Sequence, residues 1–225
     1  MQTAVKLKDV TWTYSGSSKP AIKSINLEAK KGEAILITGP TGAGKTTLCC
    51  CLNGLIPDFF PGTLDGEVII NEKYIPALEG IPSLSRMVGL VFQDPSNQLL
   101  QPTVVDDVAF TLENYGLPMS EIEEKVRRAL EVTYLKGFEN RNPHTLSGGE
   151  QQLCAIASIL ALDPDIYVLD EPTANLDPIG GAMVASFLEK LLKRREKTFL
   201  IVSHRLEDFL YWVDRMVVMT EGEII

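Results

Sequence analysis

Nine consecutive residues, Gly39-Pro40-Thr41-Gly42-Ala43-Gly44-Lys45-Thr46-Thr47, combine three glycines, a lysine and hydroxyls at spacings suited to phosphate. The glycines let the backbone curl until successive N–H groups point inward as an anion nest. Lys45 adds a full charge where the β- and γ-phosphates of a nucleotide would lie, and the Thr46 hydroxyl is a ligand for Mg²⁺. Far downstream, Ser147-Gly148-Gly149-Glu150 reads two ways. Ser-x-x-Glu is a capping box that opens a helix, and a helix N-terminus is also a place to grip phosphate. The two readings are compatible, because a well-capped helix would aim its serine and amides at the anion. A third feature is the apolar run Ile166-Tyr-Val-Leu ending in Asp170-Glu171. Adjacent carboxylates at a strand end repel unless a cation lies nearby. Asp170 suits a Mg²⁺ shell and Glu171 suits polarising an attacking water, with helix capping as the competing role for Asp170.

These groups need strands and helices to hold them. Val5 to Tyr14 and Ile22 to Leu27 alternate in period two and are predicted strands. Ala34 to Thr38 is a continuous apolar strand leading into the glycine loop, and Lys45 to Leu55 is a predicted helix. Residues 67–70 and 87–92 read as further strands. Residues 103–134 change to helical periodicity, with a second capping box at Ser120-x-x-Glu123. After the Ser147 helix come strand 166–170, helix 178–194, strand 198–202, a short helix near 205–212 and strand 215–219. Strands alternating with helices imply an α/β fold with a mostly parallel sheet, an antiparallel β part at the N-terminus and an inserted helical subdomain. Residues 1–225 read as one domain, with a core of 1–92 and 147–225 and helices across about 97–146.

Composition restricts the function further. The net charge of −9 argues against a protein that tracks nucleic-acid phosphates. Lys193-Arg194-Arg195 reads as a solvated helix end. No apolar run reaches the length of a membrane span, and the first residues do not resemble a signal peptide. Cys49, Cys50 and Cys51 point about 100° apart on a helix, so with Cys154 they read as small buried hydrophobes in a reducing compartment.

Taken in order, the glycine loop, Leu146-Ser-Gly-Gly-Glu150 and Ile166-Tyr-Val-Leu-Asp170-Glu171 resemble the ATP-binding cassette (ABC) ATPases from about Val5 to Ile224. The resemblance implies ATP and Mg²⁺ as cofactors, ATP hydrolysis, and a P-loop NTPase core. It implies that Gln93 touches metal and water and senses the γ-phosphate. His204, just past the strand Phe199-Leu-Ile-Val-Ser203, matches the switch histidine that contacts the γ-phosphate. Tyr14 corresponds to the aromatic that stacks on adenine, and Trp12 shares its strand face. Ala174-Asn175-Leu176-Asp177 matches the loop that couples two halves of a dimer. Ser147, Gly148 and Gly149 complete the ATP site of an opposite subunit, which is either a second copy or a related chain.

Phe92-Gln93-Asp94-Pro95-Ser96-Asn97-Gln98-Leu99, with Gly54-Leu-Ile-Pro57 and Gly66-Glu-Val68, is similar to the ATPases of energy-coupling factor (ECF) importers. Those take up vitamins or transition-metal ions with separate transmembrane subunits, which implies a position on the cytoplasmic face of the membrane. In that group the loop after Gln93 meets arginine-bearing coupling helices, making Asp94 a candidate contact. Two departures stand out. Leu153 replaces a usual arginine, and the sequence ends at Ile225 where cassettes of this group usually continue, compatible with a trimmed chain or one half of a tandem. Two other functions compete with the importer subunit. One is a soluble ABC ATPase acting on nucleic acid or ribosomes, which the acidic charge disfavours. The other is a non-catalytic ATP-dependent dimerisation module, which the joint presence of Glu171 and His204 disfavours.

Overall fold

The computed structural model describes residues 2–74 and 80–225. They fall into two compact units, one comprising Met1–Leu90, Pro164–Glu171 and Leu191–Ile225, the other Val91–Asp163 and Pro172–Lys190.

In the first unit, β1 (Thr3–Tyr14) pairs antiparallel with β2 (Ile22–Lys30) and with β4 (Gly62–Ile70), and β5 (Lys73–Tyr74) extends the sheet beyond β4. The alternation along β1 slips midway. Val5 and Leu7 are buried, and so are Val10 and Trp12, although they differ in parity. Both partner registers shift between these pairs, and Asp9 takes a left-handed φ of 49°. A β-bulge of this kind returns the later residues to the core face. Asn26 Oδ1 accepts the Asp9 N–H at 3.1 Å and fixes the bulge.

The second sheet has the order β10-β9-β3-β8-β7-β6, made of Glu223–Ile224, Arg215–Thr220, Ala34–Thr38, Thr198–Val202, Ile166–Asp170 and Val88–Val91. β3, β8 and β7 are wholly or almost wholly buried apolar runs, as strands covered on both faces must be. β3 runs parallel to β8 and β9, and β7 parallel to β8. The short antiparallel β10, absent from the sequence reading, closes the edge beside β9. Asp214 anchors the start of β3 by accepting the Ala34 N–H at 2.8 Å, and it also pairs with Arg195. Helix α1 (Lys45–Leu52) buries Leu48, Leu52 and all three consecutive cysteines. Those thiols and Cys154 are unbridged, and burial pushes them up, Cys50 to about 11 and Cys154 to about 12. They are inert packing groups, as composition suggested.

Helix α1 stops at Leu52, short of the predicted Leu55. Gly54 adopts φ 81°, and a β-carbon there would meet the Leu84 side chain at 2.6 Å. The chain then makes one irregular turn, α2 (Leu55–Asp58), and later another, α3 (Ile81–Ser85). The predicted helix near 205–212 is a single 3₁₀ turn at Leu206–Asp208 followed by further turns.

In the second unit, α4 (Val104–Asn114), α5 (Met119–Val132) and α6 (Gly148–Leu162) pack on one another. Val104, Val108 and Leu112 repeat at helical spacing against Ile122, Val126, Ala129 and Leu130, and against Leu153, Cys154, Ala157 and Ala161. Thr103 caps α4 by accepting the Asp106 N–H. Asp107, on its inner face, accepts N–H groups from Leu100 and Gln101 at 2.9 and 3.1 Å. Burial nonetheless holds its carboxyl above the usual range. The capping box expected at Ser120 and Glu123 does not form. Helix α5 starts two residues earlier, at Met119, because Pro118, at φ −59° and ψ 140°, occupies the N-cap position without a side-chain bond. Helix α7 (Pro178–Leu192) completes the unit, ending before the predicted 194. Among the described residues, no helix is long and apolar enough to cross a membrane.

The centre of β8 should tolerate truncation poorly. Leu200 is fully buried between β3 and β7, so Leu200→Ala is expected to cost roughly 2–5 kcal/mol. A urea-unfolding midpoint unchanged from the parent would contradict that placement.

Candidate nucleotide-binding site

The glycine loop joins β3 to α1 and needs glycine at its two ends. Gly39 lies at φ 148°, where a β-carbon would come within 2.0 Å of the Met219 carbonyl. Gly44 lies at φ 93°, and there a β-carbon would be 2.5 Å from the Ala21 carbonyl. No L-residue fits either approach, so the sheet and the loop are built together. Lys45 is only 9% exposed. Its Nζ donates to the carbonyls of Gly39 and Pro40 at 2.7 and 3.0 Å, which holds the ammonium across the mouth of the loop. Pro40, Thr41, Gly42 and Thr46 are exposed, and Ala43 and Thr47 are buried behind them.

Asp170 ends β7 facing the loop. The Thr46 hydroxyl donates to its Oδ2 at 2.6 Å. Its other oxygen, Oδ1, is buried and has no hydrogen-bond partner among the described residues. The residue is 2% exposed. Burial is the main reason its carboxyl stands above the ordinary range; the Glu171 charge adds to this, while the Thr46 hydroxyl and Lys45 oppose it.

Glu171 follows at φ 52°, a left-handed conformation unusual for glutamate and of the kind that gathers at functional sites. Its N–H bonds the Val202 carbonyl at 2.9 Å, which ties it to the end of β8. Its Oε2 lies 2.8 Å from His204 Nδ1 and accepts the His204 N–H at 3.3 Å. Glu171 is buried, whereas the His204 side chain is 61% exposed. The structure therefore brings Lys45, Thr46, Asp170, Glu171 and His204 to one end of one sheet.

Tyr14 and Trp12 divide the roles left open between them. Trp12 is fully buried, while Tyr14 is half-buried and stands edge-on to it at 5.6 Å. The Tyr14 hydroxyl bonds Thr47 Oγ1 at 3.2 Å, so the aromatic is fastened to the phosphate loop. Phe60 meets its ring edge-on at 6.1 Å.

The remaining sequence candidates belong to the second unit. Ser147 caps α6 as expected: Glu150 donates its N–H to Ser147 Oγ at 3.4 Å and accepts the Ser147 N–H at 2.8 Å. Gly148 and Gly149 form the first turn. Asp177 opens α7 by accepting the Gly180 N–H at 3.1 Å. Gln93 is exposed on the loop after β6. That loop is held by two side chains of the same motif, in a structural role that the sequence did not suggest. Gln98 Oε1 accepts the Phe92 N–H at 2.7 Å, and Asp94 Oδ1 accepts from the Ser96 N–H and hydroxyl at 3.0 and 2.6 Å. Asp94-x-Ser96 following a strand is an Asx-turn signal that could have been read.

The architecture and these sites define a class of nucleotide-binding protein. Residues 22–174 match the family model of the ABC transporter. The chain belongs to that family. It is 44% identical, over 98% of its length, to a protein of Methanosarcina acetivorans provisionally named an ABC transporter ATP-binding protein. It is also 41% identical to a protein of the same kind from Pyrococcus horikoshii over 98% of its length and 78% of the relative's. The chain spans 36% of the length of the Methanosarcina relative and 38% of a similar one from Caldanaerobacter subterraneus. Among solved structures, CbiO1 from Clostridium perfringens, described as part of the ABC transporter complex cbiONQ, superposes with a TM-score of 0.87 at 34% identity, covering 100% of this chain and 88% of that one. The cassette MJ0796, in a dimeric post-hydrolysis state bound to ADP and Pi, superposes with a TM-score of 0.83 at 32% identity, covering 98% and 96%. The fold is that of the ABC ATPases.

The residues present fit Mg²⁺. Among the described residues no cluster of three or more His, Cys, Asp and Glu could cage a metal. An unpartnered buried carboxylate oxygen beside a threonine hydroxyl instead suits an ion that draws its other ligands from phosphate and water. Without the ion, the ionised Asp170 is a liability. Its folded pKa lies above the unfolded value, so it binds protons more tightly when folded and its ionisation lowers stability as pH rises through that window. Asp170→Asn keeps an acceptor for Thr46 and removes the buried charge. At pH 7 and without nucleotide it should melt at or above the parent temperature, by roughly 0.5–2 kcal/mol, while losing Mg²⁺-dependent function. The gain should shrink as pH falls toward the carboxylate range. Calorimetry showing clear destabilisation of Asp170→Asn at pH 7 would overturn this account of the site.

Proposed function

We propose that the chain is the ATP-binding and ATP-hydrolysing cassette of a membrane importer, working as a head-to-tail pair with a second copy or a related chain. The observation carrying this reading is the line Thr46–Asp170–Glu171–His204 at the end of one sheet, with a separate capped helix start at Ser147. The loop amides and Lys45 hold the β- and γ-phosphates, and Tyr14 stacks on the base. Bound Mg²⁺ supplies charge neutralisation between the phosphates. Glu171 accepts a hydrogen bond from the attacking water, and its contact with His204 fixes that carboxylate at the strand end. The family resemblance gives Gln93 the role of sensing the γ-phosphate. Ser147, Gly148 and Gly149 close over the nucleotide of the opposite chain, and Asp177 lies on the loop that joins the two halves.

The importer role is supported by the likeness to CbiO1 and by the sequence Phe92-Gln93-Asp94-Pro95 with Gln98-Leu99. Transmembrane subunits would then bind on the Gln93 side, where Asp94 is an exposed acid, and the chain would act at the cytoplasmic face. We assign it to the ECF type, carrying a vitamin or a transition-metal ion. The net charge of −9 disfavours the competing reading as an ATPase acting on nucleic acid.

Two experiments test the reading. In a folded Lys45→Ala chain, Mg-ATP affinity should fall beyond detection, because the nest loses its cation; unchanged affinity would misplace the site. Glu171→Gln keeps shape and loses charge, so it should bind Mg-ATP, turn over about 10²-fold or more slowly, and accumulate an ATP-dependent dimer. Phosphate release at the parental rate, together with no shift in elution volume on adding ATP, would move the catalytic role elsewhere.

A further inference from the structure

The first turn of α6 and the first turn of α7 meet closely, with the Gly149 and Gly180 backbones facing each other. A β-carbon on Gly149 would lie 2.8 Å from Gly180 Cα and 3.1 Å from the Met183 side chain. A β-carbon on Gly180 would lie 3.3 Å from Gly149 Cα, 3.4 Å from Gly149 N and 2.7 Å from Asp177 Oδ1. Gly148 makes the same kind of approach to the Leu176 side chain, at 3.2 Å for an added β-carbon. Both Gly149 and Gly180 are buried. Asp177 Oδ1, the atom a Gly180 side chain would strike, is the one that accepts the Gly180 N–H and starts α7. Two loops that are far apart in sequence are thereby in contact: 146–149, carrying Ser147, and 174–177, carrying Asp177.

We infer that Gly180 is a positioning residue. Its missing side chain lets the Ser147 helix start and the Asp177 loop move as one rigid piece, setting where Ser147 and the Gly148 and Gly149 amides meet the nucleotide of the opposite chain. The inference rests on the head-to-tail pairing proposed above. A β-carbon on Gly180 would strike Asp177 Oδ1 at 2.7 Å and press on the Gly149 backbone at 3.3–3.4 Å, so an added group strains the Asp177 cap and the seat of one helix start on the other. The phosphate loop of the same chain is a different structure and should be indifferent to the substitution. Gly180 lies within α7, where alanine is the better helix former. A purely structural role would therefore predict equal or greater stability and unchanged pairing for Gly180→Ala.

The test uses the Glu171→Gln chain and two further substitutions, Gly180→Ala and Gly180→Val. Mg-ATP-dependent dimerisation is measured by sedimentation, and binding of a fluorescent ATP analogue is measured at concentrations where the chain is monomeric. The expected result is a dimer dissociation constant raised about tenfold by Gly180→Ala and further by Gly180→Val, as overpacking costs of this kind would give. Analogue affinity of the monomer should stay within about twofold, since that site is built by β3 and α1. If Gly180→Val does not fold, Leu176→Ala, which loosens the adjoining Gly148–Leu176 contact between the same two loops without a clash, replaces it and should also weaken the dimer. Parental dimerisation in both Gly180→Ala and the second variant overturns the inference, as does a loss of analogue affinity that parallels the loss of dimer. A Glu171→Gln parent that forms no ATP-dependent dimer overturns the pairing itself and this inference with it.

Discussion

The hydrogen bond from Thr46 Oγ1 to Asp170 Oδ2 is the contact on which the rest of the nucleotide site depends. It joins the first turn of α1 to the end of β7, residues 124 positions apart in sequence. Strands β3 and β7 are not neighbours, because β8 lies between them. The register makes the contact possible: Ile37 and Asp170 are both level with Val202, so three parallel strands end at one height. The phosphate loop leaves β3, Glu171 leaves β7 and His204 leaves β8 within the same layer. Parallel strands cannot be joined by tight turns, so each segment returns by a long crossover. One chain can therefore gather chemistry from distant motifs at a single sheet edge.

Assembling that edge costs stability. Asp170 is a buried carboxylate with one oxygen unpaired among the described residues, and Glu171 is held at a left-handed φ. Neither would persist at the end of a loose loop. The wholly buried apolar strands β7 and β8 over-determine the backbone on either side and so tolerate the local strain. The Glu171 N–H to the Val202 carbonyl and the Glu171 carboxylate to His204 then pin the turn in the conformation that aims the acid. A less rigid sheet would let Glu171 relax and Asp170 find solvent.

Much of this was legible in the sequence because fully buried parallel strands announce themselves as unbroken apolar runs, and the groups that follow them are polar and few. Asp170 and Glu171 were named as candidates in that way, the phosphate loop from its glycine and lysine spacing, and His204 from the family resemblance. What the sequence concealed depends on three-dimensional approach or on competition between local signals. The parity slip in β1 is invisible until two neighbouring strands show the bulge at Asp9. Ser120 had the right partner at Glu123, but Pro118 had already started the helix. Helix α1 looked continuous to Leu55 because nothing in the sequence shows that Leu84 closes on Gly54. Gly180 looks like an ordinary helix glycine until Gly149 is found against it.

On the proposed head-to-tail pairing, the Ser147 helix start would serve two purposes. As it stands, the serine hydroxyl is 2.8 Å from Glu150 Oε2, while the return bond from the Glu150 N–H is a long 3.4 Å. The hydroxyl proton is therefore committed to a carboxylate. A phosphate oxygen is also an acceptor and carries charge, so binding there exchanges one charge-assisted hydrogen bond for another of similar strength. Glu150 is not stranded by the exchange, because the Ser147 N–H remains bonded to the same oxygen at 2.8 Å. The helix keeps its cap through the backbone while the hydroxyl turns outward. A capping box with threonine or aspartate at this position would close the helix as well, but threonine adds a methyl group beside the phosphate and aspartate adds a repelling charge. Serine between Leu146 and two glycines is the choice that caps the helix and still leaves a small, neutral donor to give away.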